Sequence, residues 1–247
     1  MFSRRKFSVL MAVGALALST LAAVTSASPQ GSTPSTQRHG TVKAPANKAP
    51  LNIAILIQDD LISQVANEVG VTANFIRTLP PGSRVMVGYI TSGSLQVRQS
   101  FTTDLNSAAR SLRIPVSNTS ASSYNPYVEV IEALRRFDAG ASGRNVVLLV
   151  SDGLDDSRGF DATSAGTTLD LERAVREANA RNVGIYSFYA PSVGLTSRNR
   201  LAASYGQSAL NRISDATGGR AFFQGTTGFV SFDPYFKQLR QALEQVY

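Results

Sequence analysis

The sequence predicts a single doubly wound α/β domain, a mostly parallel sheet with one antiparallel edge strand and helices on both faces. Two observations carry this. Short, almost wholly apolar runs at 51–57 (LNIAILI) and 145–150 (NVVLLV) read as strands buried on both faces. Between and after them, apolar residues recur at helical spacing, which alternates strand with helix and so specifies a parallel sheet covered on both sides.

The elements follow in order. After the first run, Ile62, Val65, Val69, Ala73 and Ile76 keep helical spacing until Pro80, Pro81 and Gly82 end the element. Residues 85–91 are strand-like. Ser92 and Gly93 then turn the chain into Leu95, Gln96 and Val97, whose alternation suits one antiparallel edge strand. Leu105, Ala108, Ala109 and Leu112 mark a short helix after Asp104. Asn125 and Pro126 form an N-cap and N1 pair for a helix carrying Tyr127, Val130, Ile131 and Leu134. Beyond 145–150, a helix with Leu171, Ala174, Val175 and Ala178 leads to a strand at 183–189. Leu210 and Ile213 mark a helix closed at Gly218 and Gly219, and 220–223 is a last short strand. Asp233 and Pro234 cap a final helix through Phe236, Leu239, Leu243 and Val246. No internal repeat is present, and the α/β domain spans 51–247. Tyr186, Phe188 and Tyr189, and most of the late aromatic residues, read as packing.

The first fifty residues read differently. Arg4, Arg5 and Lys6, the apolar run 7–24 and the small residues 25–27 have the layout of a secretory signal, through either the general or the twin-arginine route. An uncleaved anchor is the less favoured alternative, because small and hydroxylated residues interrupt the run. Removing 1–27 lowers the formal net charge from +7 to +4, since three basic residues and no acid leave with it. Residues 28–50 carry almost no large apolar side chains and are expected to form a disordered linker. The body has no dense basic patch with interleaved aromatics, so no nucleic-acid partner is expected. The oligomeric state is not legible.

Composition removes much chemistry. The 247 residues include no cysteine and one histidine, His39, in the polar linker. Disulfides, thiol nucleophiles and thiolate metal sites are excluded, and His-based triads and His-ligated zinc have no imidazole inside the domain. Absence of cysteine in an exported chain fits a bacterial envelope protein.

In a doubly wound sheet, ligands bind beyond the carboxyl ends of the strands. The first strand ends at Gln58, Asp59 and Asp60, and the central one at Ser151, Asp152, Gly153, Leu154, Asp155 and Asp156. Neighbouring acidic strand ends either share a hard cation such as Mg²⁺, Mn²⁺ or Ca²⁺, or merely cap turns and helices.

Residues 51–246 resemble a von Willebrand factor type A (VWA) domain of the secreted bacterial subgroup. The resemblance is carried by the strand ending at Asp59, by 87–91 (VGYIT) with its hairpin, by 101–104 (FTTD) and by 146–153 (VVLLVSDG), in order. It implies a non-catalytic adhesion or protein-binding module with a metal-ion-dependent adhesion site. Asp59 and Ser63 match the Asp-x-Ser-x-Ser motif, and Asp152 matches the late Asp. Leu61 replaces the first Ser, and the second-loop Thr falls near Tyr124, with Ser123 beside it as a fourth ligand. The implied site is therefore degenerate. The expected recognition rim is 58–64, 118–126 and 152–166, with Asp60, Tyr124, Asn125, Asp155 and Asp156 facing a protein partner. The enzymatic alternative is a Mg²⁺-dependent haloacid-dehalogenase-type phosphohydrolase using the strand-end aspartates. Its general acid/base carboxylate belongs two residues after Asp59, where Leu61 stands.

Overall fold

The structure is a computed structural model that describes residues 50–91, 93–117, 125–160, 168–225 and 230–244. The expected signal and linker at 1–49, together with Ser123, Tyr124 and Val246, lie outside the described residues. Strands β1 (Leu51–Gln58), β2 (Arg84–Thr91), β3 (Ser94–Thr102), β4 (Arg144–Ser151), β5 (Val183–Tyr189) and β6 (Ala221–Phe222) form a sheet in the order β3-β2-β1-β4-β5-β6. The pairings are parallel except β2–β3, which is antiparallel with register shifts between Val85 and Gly88. This is the expected doubly wound sheet with its one antiparallel edge. The helices are α1 (Val69–Arg77), α2 (Leu105–Arg110), α3 (Pro126–Leu134), α4 (Leu169–Ala180), α5 (Arg200–Ala216) and α6 (Asp233–Glu244). None of the described helices is long and apolar enough to cross a membrane.

Strand alternation sorts the apolar side chains into two cores. Ile53, Ile55 and Ile57 of β1, with Val85, Val87, Val146, Leu148, Val150, Tyr186 and Phe188, pack under α1, α2 and α6. Ala54 and Leu56, with Met86, Val147, Leu149 and Ile185, pack under α3, α4 and α5. Every residue of β1 is buried, as a strand covered on both faces requires. Phe188 centres an aromatic cluster, with the rings of Phe222, Phe232, Tyr235 and Phe236 at 5.5, 5.4, 5.1 and 4.9 Å. The expected packing role of Tyr186, Phe188 and Tyr189 thus matches their burial.

The Asn125 cap read from sequence is made. Asp233, expected to cap the last helix, is instead its first helical residue, with Phe232 O accepting from Phe236 N in the capping position. Asn125 accepts a hydrogen bond from the Tyr127 amide, with Pro126 at the first helical position, and Asp104 accepts one from Ser107 N. One element differs. The helix expected from Ile62 onward begins as a 3-10 segment, Ser63–Glu68, before α1 proper. Leu61 bridges Ser192 in antiparallel fashion, and Ile62 N donates to Pro191 O at 3.0 Å. That bridge holds residue 62 extended, so the chain must tighten before it can coil.

Candidate functional site

Residues 59 and 60 leave the sheet at the carboxyl end of β1, and alternation sends their side chains to opposite sides. Asp59 follows the Ile53–Ile55–Ile57 side. Asp60 follows Gln58, whose Nε2 donates to Asp60 Oδ1 at 2.7 Å. Two separate polar sites result.

On the first side, Asp59 is closed by an arginine that no motif announced. Arg113 Nη1 donates to Asp59 Oδ1 at 2.6 Å and Nη2 to Oδ2 at 2.8 Å, a bidentate pair. The Val116 amide adds a third hydrogen bond to Oδ1 at 2.9 Å. The guanidinium lies over the Tyr89 ring, 4.0 Å from its centroid. The Tyr89 hydroxyl accepts from Arg113 N at 2.7 Å and donates to Arg113 O at 2.6 Å. Hydrogen bonding to Asp59 raises the Arg113 pKa further above its already high ordinary value. Burial raises that of Tyr89.

On the second side, Gln58 organises a buried network. Its Oε1 accepts from Ser151 Oγ at 2.5 Å and from Asp152 N at 3.2 Å. Asp152 accepts from Leu154 N at 3.1 Å and from Thr196 Oγ1 at 3.0 Å, and Thr196 in turn meets Ser192. Burial and then the charge of Asp152 push the Asp60 carboxyl up to about 7, against the hydrogen bond from Gln58. Burial also raises Asp152, against its hydrogen bonds. The turn carrying Asp152 lies against the backbone of α5. A Cβ on Gly206 would sit 2.0 Å from Asp152 O, and Gly153 has φ +72° with Gly206 O 2.4 Å from where its own Cβ would be.

The expected site residues therefore separate. Asp152 is set against Asp60, and Asp59 is set against Arg113. Asp60, expected to face a partner, is 9% exposed, because it follows Gln58 into the second side. Ser63 is exposed at the start of the 3-10 segment, and Leu61 is fully buried. Asn125 caps α3 and donates to Asp170 Oδ2 at 2.9 Å. Asp155 takes Ser157 N and Oγ at 3.2 and 2.6 Å, and both it and Asp156 are half-buried.

A divalent ion needs several oxygens converging on one point. Both Asp59 oxygens already hold donors, and Asp152 holds two. Among the described residues no group of three or more His, Asp or Glu is placed to hold a metal. Among the described residues, Asp59, Ser63 and Asp152 do not fit the ion that the fold resemblance implies. The phosphohydrolase alternative is not favoured either, since its proton donor position is the buried, apolar Leu61.

The fold is that of a VWA-like α/β domain, and solved structures share it. An aerotolerance-related membrane protein from Bacteroides fragilis, with multiple mutations to serines, superposes with a TM-score of 0.55 at 10% identity, over 80% of this chain and 100% of that one. The conserved hypothetical protein BatB from Bacteroides thetaiotaomicron gives 0.53 at 15% identity, over 80% and 98%. A von Willebrand factor type A protein from Catenulispora acidiphila gives 0.50 at 17% identity, over 78% of this chain and 42% of that one. No family model matches the sequence, and no curated protein matches it.

Proposed function

We propose that this chain is an exported, non-catalytic protein-binding module of the VWA type, serving adhesion or assembly at a bacterial envelope, with a degenerate ion site. One observation carries the reading. Residues 113–117 are fastened across the carboxyl end of the sheet by Asp59 and Tyr89, yet Ile114 and Val116 stand 58% and 62% exposed. A rigid backbone presenting large apolar side chains beside the expected rim is suited to docking, because little ordering entropy remains to be lost. The basic and apolar layout of residues 1–27 supports export, and the structural likeness supports the module class. No nucleic-acid partner is part of this reading.

Photo-crosslinking tests it. A benzophenone side chain is placed at Val116 in the full-length protein, and a control at Ala139, which precedes β4 at the opposite end of the sheet. One discrete adduct from position 116, weakened by Ile114→Ser and missing from position 139, is the expected result. Equal labelling at the two ends would sink the reading.

A further inference from the structure

We infer that Arg113 is a built-in cation for Asp59: its guanidinium neutralises the carboxylate and fastens residues 113–117 over the ends of β1 and β2, so this edge of the domain is assembled without a divalent ion. The inference concerns how the edge is held and stands whether or not a partner docks there.

Three donors already occupy the Asp59 carboxylate. Oδ1 takes Arg113 Nη1 and the Val116 amide, and Oδ2 takes Arg113 Nη2, all within 2.9 Å. The forked guanidinium matches the two carboxylate oxygens in one plane with no other ligand, whereas a divalent ion needs several more oxygens to complete its shell. The nearby hydroxyl and carbonyl groups are hydrogen-bonded to one another. Ser117 Oγ donates to Leu61 O at 2.5 Å, and Ser117 N donates to Asp59 O at 3.0 Å. An ion chelated by both Asp59 oxygens would have to expel the arginine, and the arginine is anchored at three further points. Its guanidinium, lying over the Tyr89 ring, fixes the head, and the Tyr89 hydroxyl holds both its amide and its carbonyl. Its Nη1 also donates to Ile114 O at 3.0 Å, which ties the head to its own strap. The strap ends at Ser117 with φ 52°, a left-handed conformation that these hydrogen bonds sustain. Sequence parity explains why the pair forms. Asp59 leaves β1 on the side covered by α1, α2 and α6, and residue 113 lies three positions beyond the end of α2 on that same side.

The test is an Mn²⁺ titration of the full-length, ¹⁵N-labelled protein. The amide signals of Val116 and Ser117 are the reporters, because both N–H groups bond Asp59. A paramagnetic ion on this carboxylate would broaden them. The expected result is that both signals stay sharp at millimolar Mn²⁺, and that Tm is the same in chelator and in Mg²⁺, Mn²⁺ or Ca²⁺. The Arg113→Met protein is expected to melt below the wild type, with Arg113→Lys in between, since lysine keeps the charge and loses the fork. Selective broadening in the wild type overturns the inference. So does an ion-dependent rise in its Tm that Asp59→Asn abolishes, or an Arg113→Met protein as stable as wild type. If Arg113→Met does not fold, the wild-type titration decides alone.

Discussion

Asp60 and Asp152, brought together from the ends of two neighbouring parallel strands, face each other across Gln58, whose amide donates to the first while its oxygen accepts from the backbone of the second. Both are buried, so each resists carrying its charge, and the charge of Asp152 adds to the cost at Asp60. They titrate as a pair.

The consequence for stability has a definite sign. Asp60 is held at about 7 in the folded chain, against 3.8 for an unperturbed aspartate. Between those values the folded state binds the proton more tightly than the unfolded state, so this group makes stability fall as pH rises through that window. A shift of this size corresponds to about 4 kcal/mol by linkage, and relaxation with solvent at the sheet edge reduces the expected effect to about 2 kcal/mol. Asp60→Asn keeps the acceptor for Gln58 and removes the charge. It should be the more stable protein at pH 8 by that amount, with the difference gone near pH 4. Urea midpoints at the two pH values check this, and a difference that does not change with pH would contradict it.

The Arg113–Asp59 pair should behave as a coupled unit. The side chains are 25% and 10% exposed, so the pair is screened less than a surface bridge and loses less to desolvation than a fully buried one. Asp59→Ala and Arg113→Ala should each cost about 2 kcal/mol, and the double variant only about 1 kcal/mol more than either. Denaturant unfolding of the four proteins gives the coupling energy directly. Additive losses would mean that the two groups act separately.

At Gly206 the expectation is steric. An added methyl group would meet Asp152 O at 2.0 Å and Asp152 C at 3.1 Å, both backbone atoms in a turn that cannot yield easily. Gly206→Ala should cost about 3 kcal/mol, at the upper end for overpacking. Gly153→Ala meets the same contact from the other side, with φ +72° as an added penalty, so the two substitutions should not add. Thermal melts of the single and double variants distinguish this from independent strain at two sites.

Most of the fold was legible because its signals are local. The apolar run of β1, the alternation of Leu95, Gln96 and Val97, and the Asn125–Pro126 cap each depend on residues adjacent in the chain. The site was legible only in place. The carboxyl ends of β1 and β4 do carry the polar networks, but the arrangement turns on long-range partners. Arg113 lies 54 residues from Asp59 in a segment without any motif, and Thr196 lies 44 residues from Asp152. The alternation that separates Asp59 from Asp60 was available in the sequence. Counting from Ile57 places Asp59 on the side of the isoleucines and Asp60 with Gln58, which argues for Asp60 as the neighbour of Asp152. What alternation cannot supply is the identity of the cation that meets Asp59.

A last expectation concerns Glu68, which ties the end of the 3-10 segment to the start of α6. Its Oε2 accepts from the Phe232 amide at 2.6 Å across 164 residues, and Glu68 is 8% exposed. The Phe232 carbonyl meanwhile accepts from Phe236 N at 2.8 Å, so Phe232 sets where α6 begins. Phe232 and Phe236 both pack on Phe188, which places α6 on the first core. Glu68→Ala leaves the Phe232 N–H buried without an acceptor and should cost about 2 kcal/mol. Glu68→Gln retains an oxygen at the same reach and should recover more than half of that loss. Because the tie acts at one end of one helix, the loss should appear first in α6. Hydrogen exchange at Phe236 and Leu239 should quicken in Glu68→Ala before exchange in β1 and β4 does. Exchange that accelerates equally in α6 and in the central strands would show that Glu68 supports the whole domain rather than the seating of this helix.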